Sequence, residues 1–503
     1  MRKIVIALIL LAFSTTSFAE TETLSLQQAL ALGLQYNFDL QISRLNVERA
    51  DAGIMGEEGR FDVLAELGLG VSRSELPVAS GVIADDLVIA DQASAEAALS
   101  KTFATGLETR LSLIGESNDS DALADRLDPA YRTYLVLDLT QPLLKDMGID
   151  INTTSLQIAR TRQQQAALGY LSRAQQLAAE IELTYLDLVQ ADEEYRYAIL
   201  ARDLAQELLD GNQRKFNAGL IPVTEVNEAR SAKAGREENM LLTKQKMTLA
   251  RNQLLELIEQ GEAQLPQSWQ ADLPEVRDEK SPDLVNALAT GLKKRPDLQQ
   301  ARLEIESRKI ALVYADNQRL PRLDLEASFG VNGLSGEGDN TKYDGDWHRS
   351  ASRALEQDGN SWYAGLRFSM PLQNRTAKAQ YRDAAAQDKQ SIYRLQRAEI
   401  SAETVIRSAH AVLDLGEERL EVAKRYADLA QTTLDQETRR LQEGLSNTFR
   451  VLIFQNALVD AKIREVAAKT DYYRAQTSLY EAMGTNLERY NIVAALPHEG
   501  VAP

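Results

Sequence analysis

Few residues in this chain are equipped for covalent chemistry, and those few do not cluster. The chain of 503 residues contains no cysteine, which excludes disulfides, thiol nucleophiles, thiolate metal sites and lipid attachment at an N-terminal cysteine. Its three histidines, His348, His410 and His498, are far apart and share no ligand spacing. No Ser-His-Asp set, Gly-rich phosphate loop or metal-ligand spacing occurs, so the chain reads as no enzyme, with no cofactor and no metal. Paired carboxylates abound, but on polar helix faces, which is their ordinary place. What remains is charge able to hold surfaces together. The residues that stand out are Glu225 and Arg450, because they occupy equivalent positions of an internal repeat. They read either as a pair of opposite charges that meet or as two unrelated surface charges at helix starts.

The repeat itself is the first organising feature. Ala29-Leu30-Ala31-Leu32-Gly33-Leu34 reappears 258 positions later as Ala287-Leu288-Ala289-Thr290-Gly291-Leu292, and Asp39-Leu40-Gln41 as Asp297-Leu298-Gln299. A second pair of blocks, Arg214 to Val226 and Arg439 to Val451, is offset by 225, so the first copy carries 33 extra residues. The chain is read as a tandem duplication: 20–263, a Pro-containing linker 264–281, 282–486, and a C-terminal tail 487–503. Each copy runs opening helix, strands, long helix, turn, returning helix. The long helices are expected over 150–216 and 376–443. At about 1.5 Å per residue, such helices are rods of roughly 100 Å. Their apolar residues step by threes and fours, the coiled-coil seam. The seam reads Ala167, Leu171, Ala174, Ala178, Ile181, Tyr185 and Leu188 in one helix and Leu395, Ala398, Ala402, Val405, Ala409 and Val412 in the other.

Between the helices the period changes to two. Leu67, Leu69 and Val71 alternate with Glu66, Gly68 and Gly70; Leu135, Leu137 and Leu139 with Val136, Asp138 and Thr140. In the second copy Leu323, Leu325, Ala327 and Phe329 alternate with Asp324, Glu326 and Ser328, and Trp362, Ala364, Leu366 and Phe368 with Tyr363, Gly365 and Arg367. These runs have the length of tilted barrel strands, and the links between them are long and polar, as in outer-membrane barrels. Pro142 and Pro371 end the sheets and mark where barrel becomes helical tube, since proline stops a ladder and suits a helix start. In the first-copy insertion, 97–103 and 107–113 read as one more hairpin. It either adds two strands to the barrel or stands outside the membrane, the second being expected. A few strands cannot close a barrel, and hydrocarbon tolerates no open edge. If these strands sit in lipid, the barrel is shared among chains.

Compartment follows from the start of the chain. Arg2 and Lys3, the apolar run Ile4 to Phe13, and Ser17-Phe18-Ala19 form a secretory signal peptide over 1–19. No later run reaches the roughly 18 apolar residues of a membrane-spanning helix, a test to which barrel strands are blind. The charge is acidic, 74 acidic against 56 basic residues. That excludes nucleic acid as a natural partner and suits either solubility or a duct with a negative inner wall.

The turn Arg214-Lys215-Phe216-Asn217-Ala218-Gly219-Leu220, followed by Val226, resembles the periplasmic helix-turn-helix motif of TolC-like outer-membrane efflux proteins. Arg439-Arg440-Leu441-Gln442-Glu443-Gly444-Leu445 resembles its second-copy counterpart. The resemblance covers nearly the whole mature chain, twice and in order. It implies an α+β membrane protein: a homotrimer sharing one transmembrane β-barrel in outer-membrane lipid, with about four strands per chain, possibly six, continued by an α-helical coiled-coil barrel in the periplasm. It also implies a passive exit duct of a tripartite efflux or type I secretion system, served by a periplasmic adaptor (membrane fusion protein) and an inner-membrane transporter. Adaptor docking falls at Arg214, Gly219, Leu220, Arg439, Gly444 and Leu445. The aperture falls at Thr224 and Glu225, which match the family's threonine-acid pair, and at Arg450, which departs from a usually acidic position. Leu441 and Ser446 depart too, from an aromatic and an arginine. The alternative is a periplasmic coiled-coil adaptor or scaffold.

Overall fold

A computed structural model describes residues 22–77, 87–120, 127–258, 269–271, 282–338 and 342–492. The signal segment and most of the 264–281 linker lie outside them. The first part of the chain comprises β1 (Glu22–Leu24), α1 (Leu26–Tyr36), α2 (Phe38–Glu58), β2 (Leu64–Pro77), β3 (Leu87–Thr102), β4 (Glu108–Ser120) and β5 (Ala130–Pro142). Then come α3 (Ile149–Asn152), α4 (Thr154–Asn217), α5 (Val223–Ile258), β6 (Trp269–Ala271), α6 (Leu284–Lys294), α7 (Pro296–Asn317) and β7 (Arg322–Gly336). The chain ends with α8 (Trp347–Leu355), β8 (Gly359–Ser369), α9 (Arg375–Gln442), α10 (Thr448–Met483) and α11 (Asn486–Arg489).

These elements form two compact units. Among the described residues, one gathers the chain up to Ser43, Tyr170–Arg295 and the chain from Ser401 on; the other gathers Arg44–Gly169 and Pro296–Ile400.

The helical unit has its core where the opening helix meets the long one. Leu26, Ala29 and Leu30 of α1 pack with Leu177, Ile181, Tyr185 and Leu188 of α4 and Leu254 and Ile258 of α5. Tyr185 donates its hydroxyl to the carbonyl of Leu24 at 2.7 Å, so its buried polar end is satisfied. A glycine permits this closeness: a Cβ on Gly33 would lie 2.2 Å from Ile181 Cδ1. The second copy repeats the device, with a Cβ on Gly291 of α6 falling 2.4 Å from Ile406 Cδ1 of α9. There Ala287, Ile406, Leu413, Leu479 and Met483 form a separate core. The seam of α9 is thereby corrected: Ile406 and Leu413 are buried, whereas Val405 and Val412 are 48% and 58% exposed. Past Ala402 the stripe turned inward is shifted by one residue, as a 3.6-residue helix drifts against a strict heptad. The first residues of the expected tail also belong to the core. Leu487 is buried, and Tyr490 and Arg489 donate to the carboxylate of Glu182 at 2.6 and 3.3 Å. Burial pushes the Glu182 carboxyl above its ordinary range despite these donors.

The other unit holds one antiparallel sheet of six strands in the order β2-β3-β4-β5-β7-β8. The hairpin expected outside the membrane is inside the sheet: β3 and β4 lie between β2 and β5. Its turn shows why. Gly106, at φ +89°, leaves no room for a Cβ between Asn152, Asp146 O and Pro142, so the turn is seated on the segment that starts the helices. The two outermost strands, β2 and β8, each leave one edge unpaired among the described residues.

Candidate functional site

Two regions carry the functional geometry: the sheet, and the turns that join α4 to α5 and α9 to α10. In the sheet, register sorts side chains into two faces. Leu67, Ala97, Leu113, Leu135 and Val331 stand in consecutive partner positions, as do Leu137, Phe329 and Trp362. This face is apolar. Towards the edge strands it is bare: Leu69, Val71 and Trp362 are 79%, 89% and 78% exposed. A contiguous apolar surface of this kind meets lipid or another chain. The opposite face is charged. Arg110 of β4 lies 2.9 Å from Glu96 of β3 and pairs with Glu66 of β2; Arg367 of β8 lies 2.7 Å from Glu326 of β7.

Pro142 closes β5, where Leu143 donates to Leu323 O at 2.7 Å, and Pro371 follows β8. Each is followed by a local stop before the long helix. Asn152 caps Asp146 and Gly148 carbonyls at 2.8 Å after the first proline, and Asn374, at φ +49°, donates to Arg319 O after the second.

The helical turns are built alike. Gly219 and Gly444 have φ of +71° and +74°, and Leu220 and Leu445 donate to the carbonyls of Lys215 and Arg440 at 3.0 and 2.8 Å. These are Schellman closures, which need a left-handed residue. Nothing lies within 4 Å of a Cβ at either glycine, so backbone conformation alone selects it. The turns present bare apolar side chains, Leu220 74% and Leu445 65% exposed, beside exposed Arg214 and Arg439.

Thr224 and Glu225 sit in the first turn of α5, and Arg450 in the first turn of α10. Within the chain Glu225 and Arg450 have other partners than each other. Glu225 accepts from the Thr448 hydroxyl at 2.9 Å, and its carbonyl accepts from Asn212 Nδ2 at 3.1 Å. Asn212 also donates to Thr448 at 3.1 Å, and both are almost fully buried. Arg450 Nε lies 3.0 Å from Glu437, which is only 4% exposed and also accepts from Ser446. Sequence reasoning missed Asn212, Thr448 and Glu437. The signal was present in the repeat: the offset of 225 that pairs Glu225 with Arg450 also pairs Asn212 with Glu437, one polar residue per copy on an otherwise apolar seam.

One chain thus combines a sheet with one apolar and one charged face with helices of 64 and 68 residues that turn back on themselves. Residues 288–485 match the outer membrane efflux protein family. It is 26% identical over 368 residues to outer membrane protein TolC of Escherichia coli strain K12, spanning 67% of this chain and 71% of that protein. Against TolC of Salmonella enteritidis it is 24% identical over 362 residues, or 67% and 70% of the two chains. In fold it is similar to the outer-membrane channel OprN, with a TM-score of 0.66 at 17% identity over 92% of this chain and 90% of that one. The Campylobacter jejuni channel CmeC gives a TM-score of 0.65 at 15% identity, over 92% and 86%. The protein's place is the outer membrane, with its helical tube in the periplasm.

Proposed function

We propose that the chain is one protomer of a passive, trimeric exit duct, the outer-membrane member of a tripartite efflux or type I secretion system. The observation that carries this reading is the six-stranded sheet with an exposed apolar face and two edges unpaired among the described residues. In hydrocarbon an unpaired edge costs several kcal/mol per lost hydrogen bond. With an even number of antiparallel strands, β2 and β8 run in opposite directions, so β2 of one chain can continue the ladder from β8 of the next. Six strands from each of three chains make eighteen. At a strand spacing of about 4.8 Å and a tilt near 40°, such a barrel has a radius of about 18 Å. The resistance to flow then lies at the helical tip, where Thr224, Glu225 and Arg450 line the aperture.

A second feature supports assembly in the helical part. On α9, Val412, Leu415, Val422, Tyr426 and Leu429 step by threes, fours and sevens and are 43–67% exposed. On α5, Leu241, Leu242 and Leu249 are 56–62% exposed. Bare seams of this kind are completed by neighbouring helices. The exposed leucines of the two turns, with Arg214 and Arg439 beside them, are the docking points for a periplasmic adaptor, which recruits an inner-membrane transporter. Pro142 and Pro371 are the transition from barrel to tube. The domain plan is a tandem duplication over 20–263 and 282–486. It is supported by helix bounds that recur at the sequence offsets: Leu26–Tyr36 with Leu284–Lys294, and Val223–Ile258 with Thr448–Met483.

Thiol cross-linking tests the shared barrel without background, because the chain has no cysteine. Single cysteines along β2, each combined with one along β8, should trap a covalent ladder that stops at three chains. Failure at every register, in protein shown to be folded, would remove the shared barrel.

A further inference from the structure

We propose that α8 is a membrane-interface helix, lying at the outer boundary of the lipid-facing band and contacting the phosphate-bearing headgroup layer of the outer leaflet. This rests on the reading of the apolar face as the lipid face.

The helix is held on that face and not on the charged one. Ser350 Oγ of α8 donates to Gly333 O of β7 and is hydrogen-bonded to the Thr133 hydroxyl of β5, both at 3.0 Å. Thr133 and Gly333 are register partners and share a face with Leu135, Leu137 and Phe329. The seat is made by missing side chains. A Cβ on Gly333 would fall 1.9 Å from the Ser350 carbonyl, and one on Gly115 of β4 would fall 2.1 Å from the Trp347 ring. Two glycines at one level of the sheet, each filled by α8, make its position a built feature.

Its depth follows from strand geometry. Gly333 is ten residues beyond Leu323, the first apolar residue of β7. At about 3.3 Å per residue and a tilt near 40°, that is roughly 25 Å along the membrane normal, the height of a barrel's apolar band. The helix therefore lies where hydrocarbon gives way to headgroups. The residues there are those expected of an interface. Trp347 stacks at a tilt on Tyr131 with ring centroids 6.0 Å apart, and Arg353 covers the Tyr343 ring at 5.2 Å.

The helix is amphipathic across the boundary. Trp347, Ala351 and the 75% exposed Leu355 form an apolar flank, while His348, Arg349 and Ser352 form an exposed polar one. The polar groups turned towards the sheet are satisfied within the protein: Arg353 donates to Leu334 O and Lys342 O at 2.8 and 2.7 Å. This matches what a lipid-facing position demands. A second chain is the less fitting occupant. The seat is on β4, β5 and β7, the middle of the sheet, away from the edge strands where neighbours would join.

Three tryptophans, Trp269, Trp347 and Trp362, allow a direct test. Two full-length mature variants, each retaining only Trp347 or only Trp362 with phenylalanine at the other two positions, are reconstituted in phosphatidylcholine bilayers brominated at shallow or deep acyl positions. Trp362 pairs with Phe329, near mid-band, and should be quenched most by deep bromines. Trp347 should be quenched most by shallow ones, at a depth about 10 Å further from the bilayer centre. In the Trp347-only protein, Gly333→Leu should unseat the helix and change this quenching; in the Trp362-only protein it should leave Trp362 unchanged. Quenching of Trp362 with none of Trp347, or equal depths for both, would overturn the interface helix while keeping the membrane reading. No quenching of either would overturn the lipid-face assignment beneath it.

Discussion

Replacing Glu437 isolates what holds the second returning helix at the tip. Its carboxylate is nearly sealed from solvent and meets Arg450 Nε at 3.0 Å, Arg440 Nη1 at 3.5 Å and the Ser446 hydroxyl. Both guanidinium groups are half exposed, so each ion pair is worth only about 0.5 kcal/mol after solvent screening. The hydroxyl bond to a charged acceptor adds about 1.5 kcal/mol. Glu437→Gln keeps the shape and part of the bonding, so the net loss should be about 1–2 kcal/mol. Local opening should then become roughly tenfold more frequent. Hydrogen exchange of the amides at the start of α10, 451–456, reads this directly, and protection should fall there with the sheet unchanged. Arg450→Glu should be worse, because it sets two carboxylates against each other. The double variant Glu437→Arg with Arg450→Glu should recover most of the loss. If Glu437→Gln leaves exchange unaltered, the pair does not hold the tip. If instead Glu225→Arg with Arg450→Glu is the combination that restores protection, the decisive partner of Arg450 is Glu225 of a neighbouring chain.

Other outcomes follow from the same structure. Gly444→Ala should lower the thermal midpoint in detergent by a cost of about 1 kcal/mol, from left-handed strain alone, and Gly219→Ala should match it; a neutral result would mean the turns are not Schellman closures in the working protein. Leu415→Glu with Leu429→Glu, on the bare stripe of α9, should leave a folded monomer or dimer by light scattering in detergent, whereas an intact trimer would show that stripe faces water. Ile406→Ala should cost about 2–4 kcal/mol in thermal unfolding, as a buried residue against Gly291, while Val405→Ala should cost far less in any monomeric form. Burial raises the Glu182 carboxyl above its ordinary range. Its contribution to stability should therefore be full below about pH 4.5 and be lost as pH rises through the elevated folded value. Glu182→Gln should flatten that part of the pH–stability curve, and a curve identical to wild type would show that Glu182 is ionised at no cost.

The sequence was most legible where physics writes a strict period. The alternation of Leu323 to Phe329 named the right face of β7, because a strand has a period of exactly two residues and a slip would reverse every side chain. The hairpin 97–113 was harder to place, since its apolar face is largely alanine: Ala93, Ala95 and Ala97 alternate with Ser94 and Glu96 too weakly to announce a membrane strand. What locates it is Gly106, whose need for space appears only once the turn is seated against Pro142 and Asn152. The seam of α9 slipped between Val405 and Ile406 because adjacent β-branched residues satisfy neighbouring helical stripes about equally, and only the position of Gly291 selects one. At the tip, Gly219 and Gly444 were readable from their place after long helices. The partners of Glu225 and Arg450 were not, because the bond from Thr448 to Glu225 depends on how two hairpins lie together and the Arg450–Glu437 pair on how α10 folds back along α9.

Conductance of the purified, detergent-extracted protein in a planar lipid bilayer tests the central claim most directly. A duct whose resistance lies at the tip should show small, mostly closed conductance that rises several-fold in Arg450→Glu. Folded protein that neither inserts nor conducts, in either form, would contradict the duct and favour a periplasmic scaffold.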